Sequence, residues 1–222
     1  MIKTFNQFPY YDDFREDKNF YRILFRPGRA VQARELIQMQ SILHNQISKI
    51  GDHLFKEGAL IDSTATPTYD SKLDFVKLYE THPTLGTVAD NVITNLVGKK
   101  VIGSVTGIRA VVRAVTKKAT NDDGTIDPPT IYVAYENKAN DGIVSTFVAN
   151  EDLVEVATSN AVTLRVEKTN PTGKAVGVGL NANYVYVKGT FVYINSELKI
   201  VSKYSTLTSK SIGFQINERI VT

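Results

Sequence analysis

The sequence predicts an α+β protein, mainly β, with an N-terminal extended arm and one long helix followed by antiparallel β modules, one of them a small inserted β-barrel or sandwich. Three observations carry this. Between Ala30 and Ile50 there is no proline and no glycine, and helix formers dominate. Beyond about residue 59, short β-branched and aromatic runs recur between Gly, Pro, Asn and Asp clusters. Eleven Tyr and ten Phe with no Trp suit a β-rich body.

Composition narrows the function classes. A chain of 222 residues, 42% hydrophobic and 22% charged, can bury a real core. A net charge of +3, with Lys and Arg scattered, gives nucleic-acid binding no support. Without cysteine there is no disulfide, thiolate metal site or cysteine nucleophile. No stretch approaches 18 apolar residues and the start has no signal core, so a soluble chain made in a cytosol, with no membrane partner, is expected.

Residues 1–25 alternate aromatic and acidic groups, including Phe8, Tyr10, Tyr11 and Phe14, without a helical or strand period. Aromatics in such number need a surface to bury against. The segment therefore reads as an arm packed on a neighbouring subunit, with its own helix as the alternative. Residues 26–58 hold the helix, broken off on its N-terminal side by Arg26-Pro27-Gly28 and stopped near Gly58, with Gly51 able to interrupt the last turn. About 25 helical residues would span about 38 Å, twice the usual length. Leu36, Leu43 and Ile50 recur every seven residues, and Met39, Ile47 and Leu54 fill in at spacings of three or four. Ile37 and Ile42 widen the stripe, while Gln40 and Gln46 lie at or beside it. This is the pattern of a coiled-coil seam, in which buried amides set register. A helix lying on its own β domain through a broad apolar face is the alternative, and pattern alone leaves both open.

Residues 59–97 and 157–222 are expected to form the main β domain. Within them Asp74–Glu80, Ala161–Val166, Tyr184–Lys188, Thr190–Ile194 and Leu198–Val201 read as strands, and Asn91–Val97 as another short apolar run. Gly173–Gly179 reads as a glycine-rich loop. Ile212, Phe214, Ile216 and Ile220 keep one parity, which predicts a final strand and a protein continuing beyond residue 222. Residues 98–156 carry about five short strands some ten residues apart, the spacing of the inserted module.

Candidate chemistry is thin. His44 and His53 lie nine apart on different faces of the helix, and His82 precedes Pro83 in a turn, so no helical zinc pair exists. Asp12-Asp13 and Glu16-Asp17 read as a solvated acidic face rather than a cation site. Asn121–Asp127 has the oxygen spacing of part of a calcium loop but no glutamate at the twelfth position, so it reads as a turn. The glycines of 173–179 lack the Lys-Ser/Thr end of a phosphate loop, and no nucleophile elbow occurs. No catalytic residue, cofactor or metal site is expected.

The run Tyr21–Leu36, with Leu43, Gln46, Ile47, Gly51-Asp52-His53 and Phe55-Lys56-Glu57-Gly58, resembles the N-terminal, uncharacterised-function domain of tail fibre and baseplate-wedge proteins of phages with contractile tails. A looser similarity covers Val185–Thr222, and residues 98–156 resemble a small β module of phage tail proteins. The resemblance implies a structural virion protein, assembled in the host cytoplasm, with no catalytic residues. It implies a homotrimer and contacts with other baseplate or tail proteins. Interface residues are then Phe8, Tyr10, Tyr11 and Phe14 of the arm and Leu36, Met39, Leu43, Ile47, Ile50 and Leu54 of the helix. A second expectation is a binding module in which residues 98–156 engage a host-surface glycan or another tail protein.

Overall fold

The computed structural model describes residues 5–62, 66–87, 90–139, 142–156 and 162–219. A single 3-10 turn, Glu16–Lys18, precedes helix α1, Ala33–Leu54. Then come strands β1 (Thr68–Lys77), β2 (Thr81–His82) and β3 (Gly86–Thr87), helix α2 (Asp90–Thr94), and strands β4 (Lys100–Gly103), β5 (Arg109–Thr116), β6 (Ala119–Thr120) and β7 (Ile126–Asp127). The remaining strands are β8 (Thr130–Tyr135), β9 (Asp152–Glu155), β10 (Thr163–Arg165), β11 (Thr172–Leu180), β12 (Asn183–Val187), β13 (Thr190–Ile194) and β14 (Glu197–Ser202). The fold is mainly β, with antiparallel sheets and two α-helices among the described residues. It divides into two units: the chain up to Thr66 with Asn181–Ser196, and Pro67–Leu180 with the segment from Glu197 onward.

The first unit is built on α1. Its start is fixed locally, because the Gln32 N–H donates to Glu35 Oε2 at 2.9 Å and places a carboxylate at the positive end of the helix. The helix has 22 residues and is shorter at both ends than the 26–58 stretch. Gly28, at φ 77°, holds the chain in a turn that a helix cannot continue through. At the other end Phe55 turns to extended backbone, and its ring packs against Tyr186 and Phe191 at centroid distances of 5.5 and 5.3 Å.

Hairpin β12–β13 supplies that aromatic support. Its two-residue turn, Lys188-Gly189, has φ of 46° and 82°, the paired positive values that match the twist of a tight hairpin. Residues 58–61 add a third strand-like edge, with Gly58 N–H donating to Tyr186 O at 2.9 Å and Ile61 N–H to Tyr184 O at 3.0 Å. Helix and hairpin meet so closely that two positions exclude a side chain. A Cβ on Gly51 would lie 2.5 Å from Tyr186 Oη, and one on Gly189 would lie 2.0 Å from Ser48 Oγ. Gly51 therefore does not interrupt the helix. It admits the tyrosine.

The second unit is built on an eight-stranded antiparallel sheet in the order β10-β9-β4-β5-β8-β1-β11-β14, with β2–β3 and β6–β7 as separate two-stranded pairs. The two faces follow strand parity. Val76, Ala110, Val112, Ile131 and Val133 point to one core with Ile93, Leu96, Ile108, Phe147, Leu153 and Leu164. Leu73, Phe75, Tyr132 and Ala175 point to the other, where Leu198, Ile200 and Tyr204 cover them. Bulges between Asp70 and Leu73 and between Val112 and Ala114 shift this alternation.

Four expectations change here. Residues 98–156 are not a separate barrel or sandwich, because β4, β5, β8 and β9 share the sheet with β1, β10, β11 and β14. Gly173–Gly179 is strand, not loop. With a Cβ, Gly173 would come within 2.8 Å of the Phe75 ring, so the glycine makes room for a buried aromatic. The apolar run 91–97 opens as α2, whose Ile93, with Leu96 three residues on, faces the core. Residues 212–219 form no strand. Ile212, Phe214 and Ile216 are exposed, because alternation alone gives a face but not a neighbouring backbone to bond. Ile220 lies outside the described residues.

Candidate self-association surface

Helix α1 has two unlike faces. At 3.6 residues per turn, Leu36, Leu43, Ile47, Ile50 and Leu54 project within about 60° of one another. All five are exposed, from 46% at Leu36 and 56% at Leu43 to 67% at Leu54. Ile42, Asn45 and Ser48 centre about 180° away and are buried, Ile42 to 3% exposure. Ile42 therefore belongs to the packed face and does not widen the stripe. Met39, at the margin, is half-buried.

The packed face is polar as well as tight. The Tyr186 hydroxyl donates to Asp52 Oδ1 at 2.6 Å and lies 3.1 Å from Ser48 O. Burial and the neighbouring Asp52 carboxylate push the Tyr186 hydroxyl up to about 12, which keeps it a donor throughout the working pH range. The arm covers a neighbouring strip of the same side. Ser41 Oγ donates to Asp12 Oδ2, Gln38 Nε2 to Asp13 Oδ1 at 2.8 Å, and Lys49 Nζ pairs with Glu16 at 3.2 Å. Asp12 is buried, and the Lys18 hydrogen bond holds Asp13 below its ordinary carboxylate range. Within one chain, then, the arm rests on its own helix.

That docking is made by the acidic residues, not by the rings. Phe8 is 79% exposed, and Tyr11, Phe20, Tyr21, Leu24 and Phe25 are also exposed, while Tyr10 and Phe14 are half-buried. Phe5 stacks edge-on with Tyr10 at 5.7 Å and Phe8 with Tyr11 at 6.2 Å. The unit thus presents a ridge of five aliphatic side chains and a separate set of arm aromatics to solvent. Exposed apolar groups in such concentration mark interaction surfaces in soluble chains. Of the expected interface residues, Phe8, Tyr11, Leu36, Leu43, Ile47, Ile50 and Leu54 are free of cover; Met39, Tyr10 and Phe14 are partly occupied.

Other candidates resolve into structure. His82 is buried; its Nδ1 accepts the Thr84 and Leu85 N–H groups at 3.2 Å each, leaving Nε2 to donate to Asp152 at 3.2 Å. It braces the β2–β3 turn. In the 121–127 loop, Asp123 Oδ1 accepts Thr125 N–H at 2.9 Å and its hydroxyl at 2.6 Å, which closes a plain turn. Asp127 instead meets Lys203 and the Tyr204 hydroxyl. Burial alone would raise the Asp127 carboxyl, but those two bonds outweigh it and hold it below its ordinary value. Glu151, which no local pattern flagged, is buried and accepts N–H groups of Val105, Thr106 and Val148 at 2.6–3.1 Å, together with the Thr106 hydroxyl. It pins the 104–106 turn to the sheet. A shallow depression lined by Ile102, Gly107, Arg109, Glu136 and Asn137 lies within residues 98–156. Its polar groups largely bond one another or neighbouring chain, as in Glu136–Lys100 at 2.6 Å and Asn137 Oδ1 to Arg109 N–H at 2.6 Å. Among the described residues no cluster of acids and histidines could hold a metal ion, and no helix is long and apolar enough to cross a membrane.

Comparison with known proteins gives one family. A model described as a domain of unknown function, DUF4815, matches residues 9–133, more than half of the chain. No curated protein and no solved structure matches.

Proposed function

The chain belongs to the DUF4815 family, a domain of unknown function; we propose that it is a structural assembly protein, the N-terminal attachment and trimerisation region of a tail fibre or baseplate-wedge protein in a contractile-tail phage. The observation that carries the reading is the exposed ridge of Leu36, Leu43, Ile47, Ile50 and Leu54 on the helix face turned away from the chain's own packing. A repeat near 3.5 residues fits the groove of another helix with the same repeat better than it fits a sheet. The trimer and the virion follow from the resemblance of Tyr21–Leu36 and the following helix residues to tail proteins.

The mechanism is mechanical. Ridge meets ridge and removes aliphatic surface from water, so the copies hold each other in place. The arm, tethered to its own helix by Asp12, Asp13 and Glu16, presents Phe8, Tyr11, Phe20 and Tyr21 to a neighbouring tail protein. Rings on a positioned segment bury much area at small entropic loss. No step in this function requires a catalytic group or a cofactor.

A density map of the intact virion tail tests the reading. Three copies whose helices touch along the ridge, at the root of a fibre or in the wedge, are expected. Copies that never meet, or a site outside the virion, would overturn it. The alternative, a module binding a host-surface glycan, rests on the polar-lined depression at Arg109, Glu136 and Asn137. Binding of the whole chain to a glycan array, lost on Arg109→Ala, would favour it; silence removes it.

A further inference from the structure

The ridge carries one amide at a position where an aliphatic residue would complete it. Residues 36, 40, 43, 47, 50 and 54 follow one another at spacings of four and three, the alternation of a two-per-heptad seam. Five are Leu or Ile. The sixth is Gln40, also exposed, which projects within about 80° of the same direction. We infer that α1 associates with further copies of itself in parallel and in register, and that Gln40 selects this arrangement; the inference rests on the self-association reading above.

Three observations name a second copy as the occupant. First, this chain's own candidates for covering the ridge, the arm and hairpin β12–β13, are both engaged elsewhere on the helix, at Gln38, Ser41, Lys49, Ser48 and Asp52. Second, from Leu36 to Ser48 the helix has no Asp, Glu, Lys or Arg. In a parallel symmetric contact each residue approaches its own counterpart, so any charge there would face a like charge. A stretch without charge removes that repulsion. The charges that border this stretch are engaged locally: Glu35 accepts the Gln32 N–H, Lys49 pairs with Glu16, and Asp52, a turn further on, accepts the Tyr186 hydroxyl. Third, the position of Gln40 breaks the symmetry between orientations. In a fully overlapped antiparallel pair, residue 36 faces 54, residue 43 faces 47, and Gln40 faces Ile50, which leaves each amide buried against an aliphatic side chain. In the parallel register Gln40 faces Gln40, and each amide supplies both a donor and an acceptor to its neighbour. A slip by one heptad would again set the amide against Ile47 or bury it alone. The amide costs some stability in every arrangement and least in the parallel, in-register one.

The absence of cysteine makes the test clean. Leu36→Cys and Leu54→Cys are prepared separately in the full chain, with circular dichroism confirming the fold, and each is oxidised at low micromolar concentration alone and as a mixture. Each variant is expected to form disulfide-linked chains by itself, with no linked species joining residue 36 to residue 54. A second change, Leu43→Asp, should abolish the links. If an oligomer persists but links appear only in the mixture, the association is antiparallel: the inference fails while self-association stands. An oligomer with no links at all also refutes it, because the ridge is then not the contact. If the unaltered chain is a monomer, both readings fall. Gln40→Leu provides the second arm. It should tighten association at least tenfold while replacing a single mass by a mixture of oligomers. An unchanged affinity with an unchanged single mass would overturn the role of Gln40.

Discussion

Replacing Leu43 by aspartate puts a carboxylate at the middle of the ridge, and the structure sets the size of the effect. Full burial of a leucine stabilises by about 1.5–3 kcal/mol. Leu43 leaves 56% of its surface to solvent in the single chain, so covering the remainder is worth about 1–1.5 kcal/mol per copy. For three copies that is about 3–5 kcal/mol lost from the hydrophobic contribution alone, or about two to four powers of ten in the assembly constant. The carboxylates add to this, since they would be desolvated beside one another with no basic partner on the face. In the isolated chain Leu43 is more than half exposed, so the effect of the same change on folding should stay within about 0.5 kcal/mol. Sedimentation equilibrium reads the mass and thermal unfolding of the dissociated form reads the fold, with Lys117→Glu as an exposed control on the sheet unit. Dissociation of Leu43→Asp with an intact fold is expected. A mass that does not change in Leu43→Asp, when the unaltered chain is an oligomer, would refute the reasoning and leave the ridge a bystander.

The remaining predictions concern the support beneath the ridge. Gly51→Ala should destabilise the chain by about 1–2 kcal/mol in urea unfolding, because the overlap of the new Cβ with Tyr186 exceeds the gain in helix propensity; a stabilised variant would show that the tyrosine yields freely. Tyr186→Phe should lose about 1–2 kcal/mol through its bonds to Asp52 and Ser48, and stability equal to that of the unaltered chain would contradict this. Asp127 has its folded pKa depressed below the 3.8 of a free carboxyl. Its contribution is therefore fully present above about pH 4 and lost as the pH falls through the depressed value. Asp127→Asn should lower the urea midpoint near neutrality and flatten its decline below about pH 4; an unchanged acid slope would remove the Lys203–Tyr204 latch as the cause.

What could be read in the chain was what local chemistry decides. The 30–50 stretch states its helix in composition, and the seven-residue recurrence of Leu36, Leu43 and Ile50 marks a face whatever the helix later packs on. The other face could not be read, because Asp12 meeting Ser41 and Tyr186 meeting Gly51 join residues far apart in sequence. Apolar character places Ile42 in the stripe but does not say which neighbour it will find. The sheet was legible as strands but not as one sheet. Short runs some ten residues apart arise equally from a small barrel and from consecutive strands of a wide antiparallel sheet, and only the pairing of β1 with β8 and β11 distinguishes them. Glycines at 173, 177 and 179 signal a loop locally, whereas Phe75 across the sheet explains the first as space. Residues 212–216 show the reverse: they alternate well and have no strand to pair with. The buried carboxylate of Glu151 carries no pattern in the sequence, since three of its four bonds come from Val105 and Thr106, some 45 residues earlier.

Sedimentation equilibrium of the unaltered full chain across the micromolar range shows whether the ridge finds a partner in other copies. A single species of three times the chain mass, stable on dilution and resistant to high salt because its contact is aliphatic, is the predicted result. A chain that stays monomeric to the highest concentration reached would contradict the account, since the ridge would then face water without a partner.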